Sequence, residues 1–84
     1  MAGSSEATTT RDLTFGERAV GLTFNPSGDP TVNELKKLSA ALIDECYRQR
    51  ETNPDAEIKR MYSVAITEAQ TAQMWAVKAA TWRK

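Results

Sequence analysis

Phe24 stands directly ahead of the turn-forming stretch Asn25-Pro26-Ser27-Gly28, and Lys37 and Ser39 follow in the first turns of the helix behind it. This grouping suits a small anionic ligand carrying an aromatic base. A ring beside a polar turn stacks on a base, and amides at a helix start, here around Ser27 to Val32, hold a phosphate through hydrogen bonds and the helix dipole. Lys37 and Ser39 are close enough in sequence to approach one phosphate together. Asp29 works against the amide part of this reading, because a carboxylate cap competes with an anion. Each residue also has a plain structural reading. Phe24 packs over the helices as a hydrophobic staple, and Lys36 and Lys37 are solvated surface cations. Thr67 and Gln70 interrupt an apolar and alanine-rich stretch, either as a polar rung at a subunit interface or as ligand contacts.

Catalytic chemistry has little to stand on. The 84 residues include no histidine, the commonest general base, and one cysteine. Cys46 lies on an apolar stripe without an activating base, as a buried small hydrophobe would. Asp44, Glu45, Asp55, Glu57 and Glu68 occupy positions expected on solvated helix faces. Basic partners lie three or four residues on, in Asp44 with Arg48, Asp55 with Lys59 and Glu57 with Arg60. The segment "FGERAVG" lacks a dinucleotide fingerprint. The expectation is a non-enzyme with no cofactor and no metal.

The elements that would position these residues are helical. Positions 1–12 are small and polar and read as a disordered tail, leaving 13–84 as one domain. Apolar residues at Leu13, Phe15, Ala19, Val20 and Leu22 suggest a short irregular helix, weakened by Gly16 and Gly21. Asn25 to Gly28 fit a type I turn. Asp29 as N-cap with Pro30 at N1, or Thr31 with Glu34 as a capping box, opens a helix running to about Gln49. Leu35, Leu38, Leu42, Ile43 and Cys46 form its stripe. Asn53 as cap and Pro54 at N1 then begin a second long helix over 54–82, and the short connection makes the pair an antiparallel hairpin. On the second helix Ala65, Ala69, Ala72, Ala76 and Ala80 share a face with Ile58, Met61 and Tyr62, while Trp75, Trp82 and Val64 lie to one side. The apolar arc spans roughly 200°, against about 100° for a helix with one buried face. One partner helix cannot cover it.

Self-association is the remedy left to so short a chain. A domain of this size buries roughly 60 % of its unfolded surface. With one cysteine and no histidine it has neither an internal disulfide nor a zinc staple. The formal charge is zero, from 11 basic and 11 acidic residues, which argues against binding to DNA or RNA polymers. No apolar run is long enough to cross a membrane. "MAGSSEATTT" lacks the charged and apolar regions of a signal peptide, so a soluble cytoplasmic protein is expected.

The stretches "FGERAVGLTFNPSG" and "TEAQTAQMWAVKA" resemble the phage anti-CBASS sponge family, over roughly residues 13–83. The helical hairpin domain of that family is shared with anti-Thoeris sponges. The resemblance implies a homohexamer that sequesters cyclic dinucleotides such as cyclic GMP-AMP between subunits, uncleaved, and starves the CBASS effector in the host cytoplasm. Some members also hold cyclic trinucleotides at separate sites. Carried over by position, the base-stacking aromatic is Phe24, with Asn25 beside it, and the phosphate-binding pair is Lys37 with Ser39. The expected ligand set is therefore Phe24, Asn25, Pro26, Ser27, Gly28, Lys37, Ser39 and Thr67. Members associated with trinucleotide binding carry a basic residue near "TEAQ", where this chain has Ile66. Two alternatives stand beside the dinucleotide sponge: a sponge for a cyclic ADP-ribose isomer, and a structural helical module that docks a protein through Trp75 and Trp82.

Overall fold

The computed structural model describes residues 12–25 and 28–83. The polar stretch at 1–11, Pro26, Ser27 and Lys84 lie outside the described residues. Three helices follow in order: α1 (Phe15–Val20), α2 (Pro30–Thr52) and α3 (Ala56–Ala80). Among the described residues there is no strand, and no helix is long and apolar enough to cross a membrane.

The short α1 exists because both of its ends are closed. Thr14 Oγ1 accepts from the Glu17 amide at 3.0 Å, and Glu17 Oε1 accepts from the Thr14 amide at the same distance, a reciprocal capping box. Gly21 turns left-handed (φ 62°) and ends the helix. Its N–H reaches Arg18 O, and the Leu22 N–H reaches back to Glu17 O at 3.0 Å. Gly16 belongs inside this helix and does not weaken it. A Cβ there would overlap the Ala40 carbonyl oxygen, so glycine is what lets α1 lie directly on the α2 backbone. At that contact the Gly16 N–H donates to Asp44 Oδ1 at 2.6 Å.

The two long helices start on aspartate caps. Asp29 caps α2 through the Thr31 and Val32 amides (2.8 and 3.4 Å), with Pro30 at N1; the Thr31–Glu34 alternative is not used. Asp55 caps α3 through Glu57 and Ile58 (2.8 and 3.1 Å). This corrects the expected start, because Asn53 ends α2 and accepts from the Asp55 amide at 3.0 Å. α2 runs three residues past the expected end, and α3 begins and ends two residues inside 54–82. The helices fold back as a hairpin tied by Lys59 Nζ to Arg50 O (2.8 Å) and Arg50 Nη1 to Ser63 Oγ (3.1 Å). Phe15 stacks on Tyr47 with centroids 4.4 Å apart, and Arg50 lies over both rings.

The core joins all three helices through Val20, Ala40, Ile43, Cys46, Ile66 and Ala69, with Tyr62 and Leu22 packed against it. Cys46 is buried here as a small hydrophobe. The expected α2 stripe divides. Ile43 and Cys46 are buried, whereas Leu38 and Leu42 are more than half exposed; Val32, Lys36 and Ala40 take the inner positions. On α3, Ala69 is buried but Ala72 and Trp75 are exposed, as is Trp82 beyond the end of the helix. Two expected ion pairs also differ. Arg48 pairs with Glu45, since Asp44 is engaged by Gly16, and Lys59 meets a carbonyl because Asp55 is a cap. Glu57 and Arg60 pair as expected.

Candidate ligand site

The loop after α1 is built from backbone turns. The Phe24 N–H donates to Gly21 O at 2.9 Å, and the Gly28 N–H (φ 66°) donates to Asn25 O at 2.9 Å. Both ends of the Asn25 amide are engaged: Nδ2 donates to Asp29 O (2.9 Å) and Oδ1 accepts from the Asp29 N–H (3.2 Å). Asn25 therefore closes the loop. Under the loop sits Lys36, 5 % exposed, whose ammonium donates to Gly21 O at 2.9 Å and to Phe24 O and lies 5.4 Å from the centre of the Phe24 ring. Phe24 itself is 71 % exposed. It is no hydrophobic staple, and its ring faces solvent over a buried cation.

The helix start is not the phosphate cradle expected there. Asp29 occupies the Thr31 and Val32 amides, Asn33 N–H is bonded to Asp29 O, and Gly28 N–H closes the turn. The sequence carries the reason: Asp-Pro supplies its own anion at the position a ligand would need. Two of the expected residues, Pro26 and Ser27, lie outside the described residues.

A groove of about 690 Å³ opens between α1 and α3, with Arg18, Lys36, Thr67, Gln70 and Gln73 among its walls. It contains two cations and no carboxylate, and its apolar share comes from Val20, Met74 and Val77. Gln70 Nε2 donates to Ala19 O at 3.3 Å and fixes α1 to α3. Gln73 is 7 % exposed and makes no side-chain hydrogen bond among the described residues, which leaves its amide available in the groove. A second hollow of about 320 Å³ holds Lys37 with Glu17, Leu22 and Asp44. Lys37 is exposed and Ser39 half-buried. Within one chain, Thr67 and Lys37 thus line different hollows. The groove suits an anion with a hydrogen-bonding edge, while the hollow beside Lys37 carries two acidic side chains of its own.

Arg18 and Gln73 were not singled out in the sequence, and Lys36, read there as a solvated surface cation, is buried. The signal for Lys36 was present: Val32, Lys36, Ala40 and Ile43 repeat at four, four and three, so Lys36 shares the buried face. Carboxylates with displaced pKa values lie on the outer faces. Hydrogen bonds from Arg48 and Gln49 hold Glu45 below the ordinary range, and a pair from Arg60 does the same for Glu57.

The hairpin, its helix caps and the turn after α1 all fall within residues 17–81, and over that span the chain matches the model of the Acb2/Tad1 hairpin domain. The chain belongs to this family. No curated protein and no solved structure matches it. The Acb2/Tad1 hairpin proteins are non-catalytic sponges, and the matched span takes in the Phe24 loop, Lys37, Ser39 and both hollows. Among the described residues no group of three metal-ligating side chains comes together.

Proposed function

We propose that this Acb2/Tad1 hairpin protein sequesters cyclic dinucleotide immune signals such as cyclic GMP-AMP, without cleaving them, in pockets completed between copies of the chain, and so blocks CBASS anti-phage defence in the host cytoplasm. The observation that carries the reading is Phe24: a ring 71 % exposed on a loop tied down from both sides, within the family's hairpin domain. An exposed ring on a fixed loop is a stacking surface with little ordering cost on binding. In this reading Lys37 and Ser39 hold a phosphate, and Thr67 contacts the ligand from α3.

Assembly supports the same reading. Leu38, Leu42, Met61, Met74, Trp75 and Trp82 are each half or more exposed in one chain, a large apolar share for so small a fold. A symmetric oligomer, a hexamer in the family resemblance, covers these faces and brings Lys37 of one copy to the Phe24 loop or groove of another. Two copies related by a two-fold axis suit a two-fold cyclic dinucleotide.

The test is calorimetric titration of the purified protein with cyclic dinucleotides, cyclic trinucleotides and cyclic ADP-ribose isomers. The proposal expects tight binding of a cyclic dinucleotide. Binding confined to a cyclic ADP-ribose isomer would move the protein to anti-Thoeris sequestration. Absence of heat with every ligand, from a protein shown to be oligomeric, would leave the structural module as the account.

A further inference from the structure

We infer that Lys36 is a positioning residue: its buried ammonium anchors the Gly21–Phe24 turn and thereby fixes the Phe24 ring in the orientation that receives a ligand base. The ligand half of this inference rests on the function proposed above; the anchoring half does not. Burying an ammonium is costly unless its charge is met. No carboxylate among the described residues is ion-paired with Lys36. Its charge is met by the carbonyl oxygens of Gly21 and Phe24 and by the face of the Phe24 ring. Gly21 O already accepts the Phe24 N–H, so the ammonium closes a turn that begins and ends on the two residues it holds.

The neighbouring residues show why this anchor is needed. Gly21 is left-handed and ends α1, so nothing helical continues into the loop. Asn25 fixes the far side of the loop to Asp29. Between these points the Phe24 side chain has no apolar pocket, and its carbonyl is held from below by Lys36 alone among the described hydrogen bonds. A solvated lysine at this position would leave the ring free to swing, and stacking would then require ordering it at the moment of binding. Lys36 also forms part of the wall of the α1–α3 groove, so the anchor joins the loop to that surface.

The test uses the full chain with Lys36→Met, which keeps length and removes charge, and Lys36→Arg, which keeps donors. In ligand-free protein, Lys36→Met is expected to speed hydrogen exchange at the Phe24 amide by about tenfold or more, with far-UV circular dichroism unchanged. Unchanged exchange overturns the anchor. With cyclic GMP-AMP as probe, Lys36→Met is expected to weaken binding about 10–100-fold, the scale of a hydrogen bond to a charged group. Lys36→Arg should recover most of that loss. In a Phe24→Leu background, Lys36→Met should cost less than about threefold, because its effect passes through the ring. An equal loss in both backgrounds would show that Lys36 acts on the ligand by itself and would overturn the positioning role. Should the unaltered chain not bind cyclic GMP-AMP, the proposed function fails and the ligand half falls with it, while amide exchange still decides whether Lys36 anchors the loop. Should Lys36→Met not fold, Lys36→Arg with exchange slow as in the unaltered chain supports the anchor, and fast exchange there overturns it.

Discussion

Gly16→Ala sets two effects of opposite sign against each other. Gly16 is helical, and in an exposed helix alanine would gain about 1 kcal/mol over glycine. At this position the new Cβ would overlap the Ala40 carbonyl oxygen and lie 2.9 Å from both the Ala40 carbonyl carbon and Asp44 Oδ1. The nearest of these atoms is helix backbone and cannot turn aside, so α1 must withdraw by on the order of 1 Å to restore van der Waals separation. Withdrawal lengthens the 2.6 Å bond from Gly16 N–H to Asp44, a contact to a charged acceptor worth about 1.5–3 kcal/mol. It also loosens Val20 in the core, where overpacking alone costs about 1–3 kcal/mol. Allowing for partial relaxation and the propensity gain, the net loss is about 2–4 kcal/mol. Urea unfolding followed by circular dichroism measures it, with both proteins at one concentration because self-association raises apparent stability. Because α1 leads into the Phe24 loop, ligand affinity should fall as well. A Gly16→Ala protein as stable as the parent, or more stable, would refute the close-approach argument.

Three further outcomes are expected. Lys37→Ala should abolish detectable cyclic GMP-AMP binding in calorimetry while native mass spectrometry returns the same oligomer mass, since Lys37 is exposed and makes no core contact. Leu42→Glu, at a site 56 % exposed in one chain, should leave helix content intact but break the oligomer into smaller species on size-exclusion chromatography. Asp29→Ala should cost about 1 kcal/mol in urea unfolding by leaving the Thr31 and Val32 amides without their cap.

Much of the fold is legible in the residues because local chemistry decides it. Asp29-Pro30 sets the start of α2, the Gly28 N–H returns to Asn25 O as a turn between them requires, and the α2–α3 connection is too short for anything but a hairpin, although its cap is Asp55 and not Asn53. The capping box at Thr14 and Glu17 was also present in sequence. It was masked by Gly16 and Gly21, which look like breakers in one dimension. One is a helix terminator, and the other is a contact with a backbone distant in sequence. Periodicity identified Leu38 and Leu42 as apolar but could not say what they face. A helix in an assembling protein carries one stripe for its own core and another for its neighbours, and both repeat at three and four. The inner position of Lys36 was readable from its spacing to Val32, Ala40 and Ile43, but its partners were not, because the carbonyls of Gly21 and Phe24 carry no sequence signature. The site is less legible than the fold because it depends on which faces meet. Thr67 lines the α1–α3 groove, Lys37 lines the second hollow and Phe24 stands exposed on the loop, and it is the proposed function that has copies of the chain join them.

The central claim is capture without chemistry, and recovery of the ligand tests it most directly. The purified oligomer is loaded with cyclic GMP-AMP, separated from free ligand, denatured by heat, and the released nucleotide is quantified by chromatography. The account predicts intact cyclic GMP-AMP in fixed proportion to protein, unchanged by longer incubation before heating. Linear or fragmented products that accumulate with time, or no nucleotide carried through the separation, would contradict it.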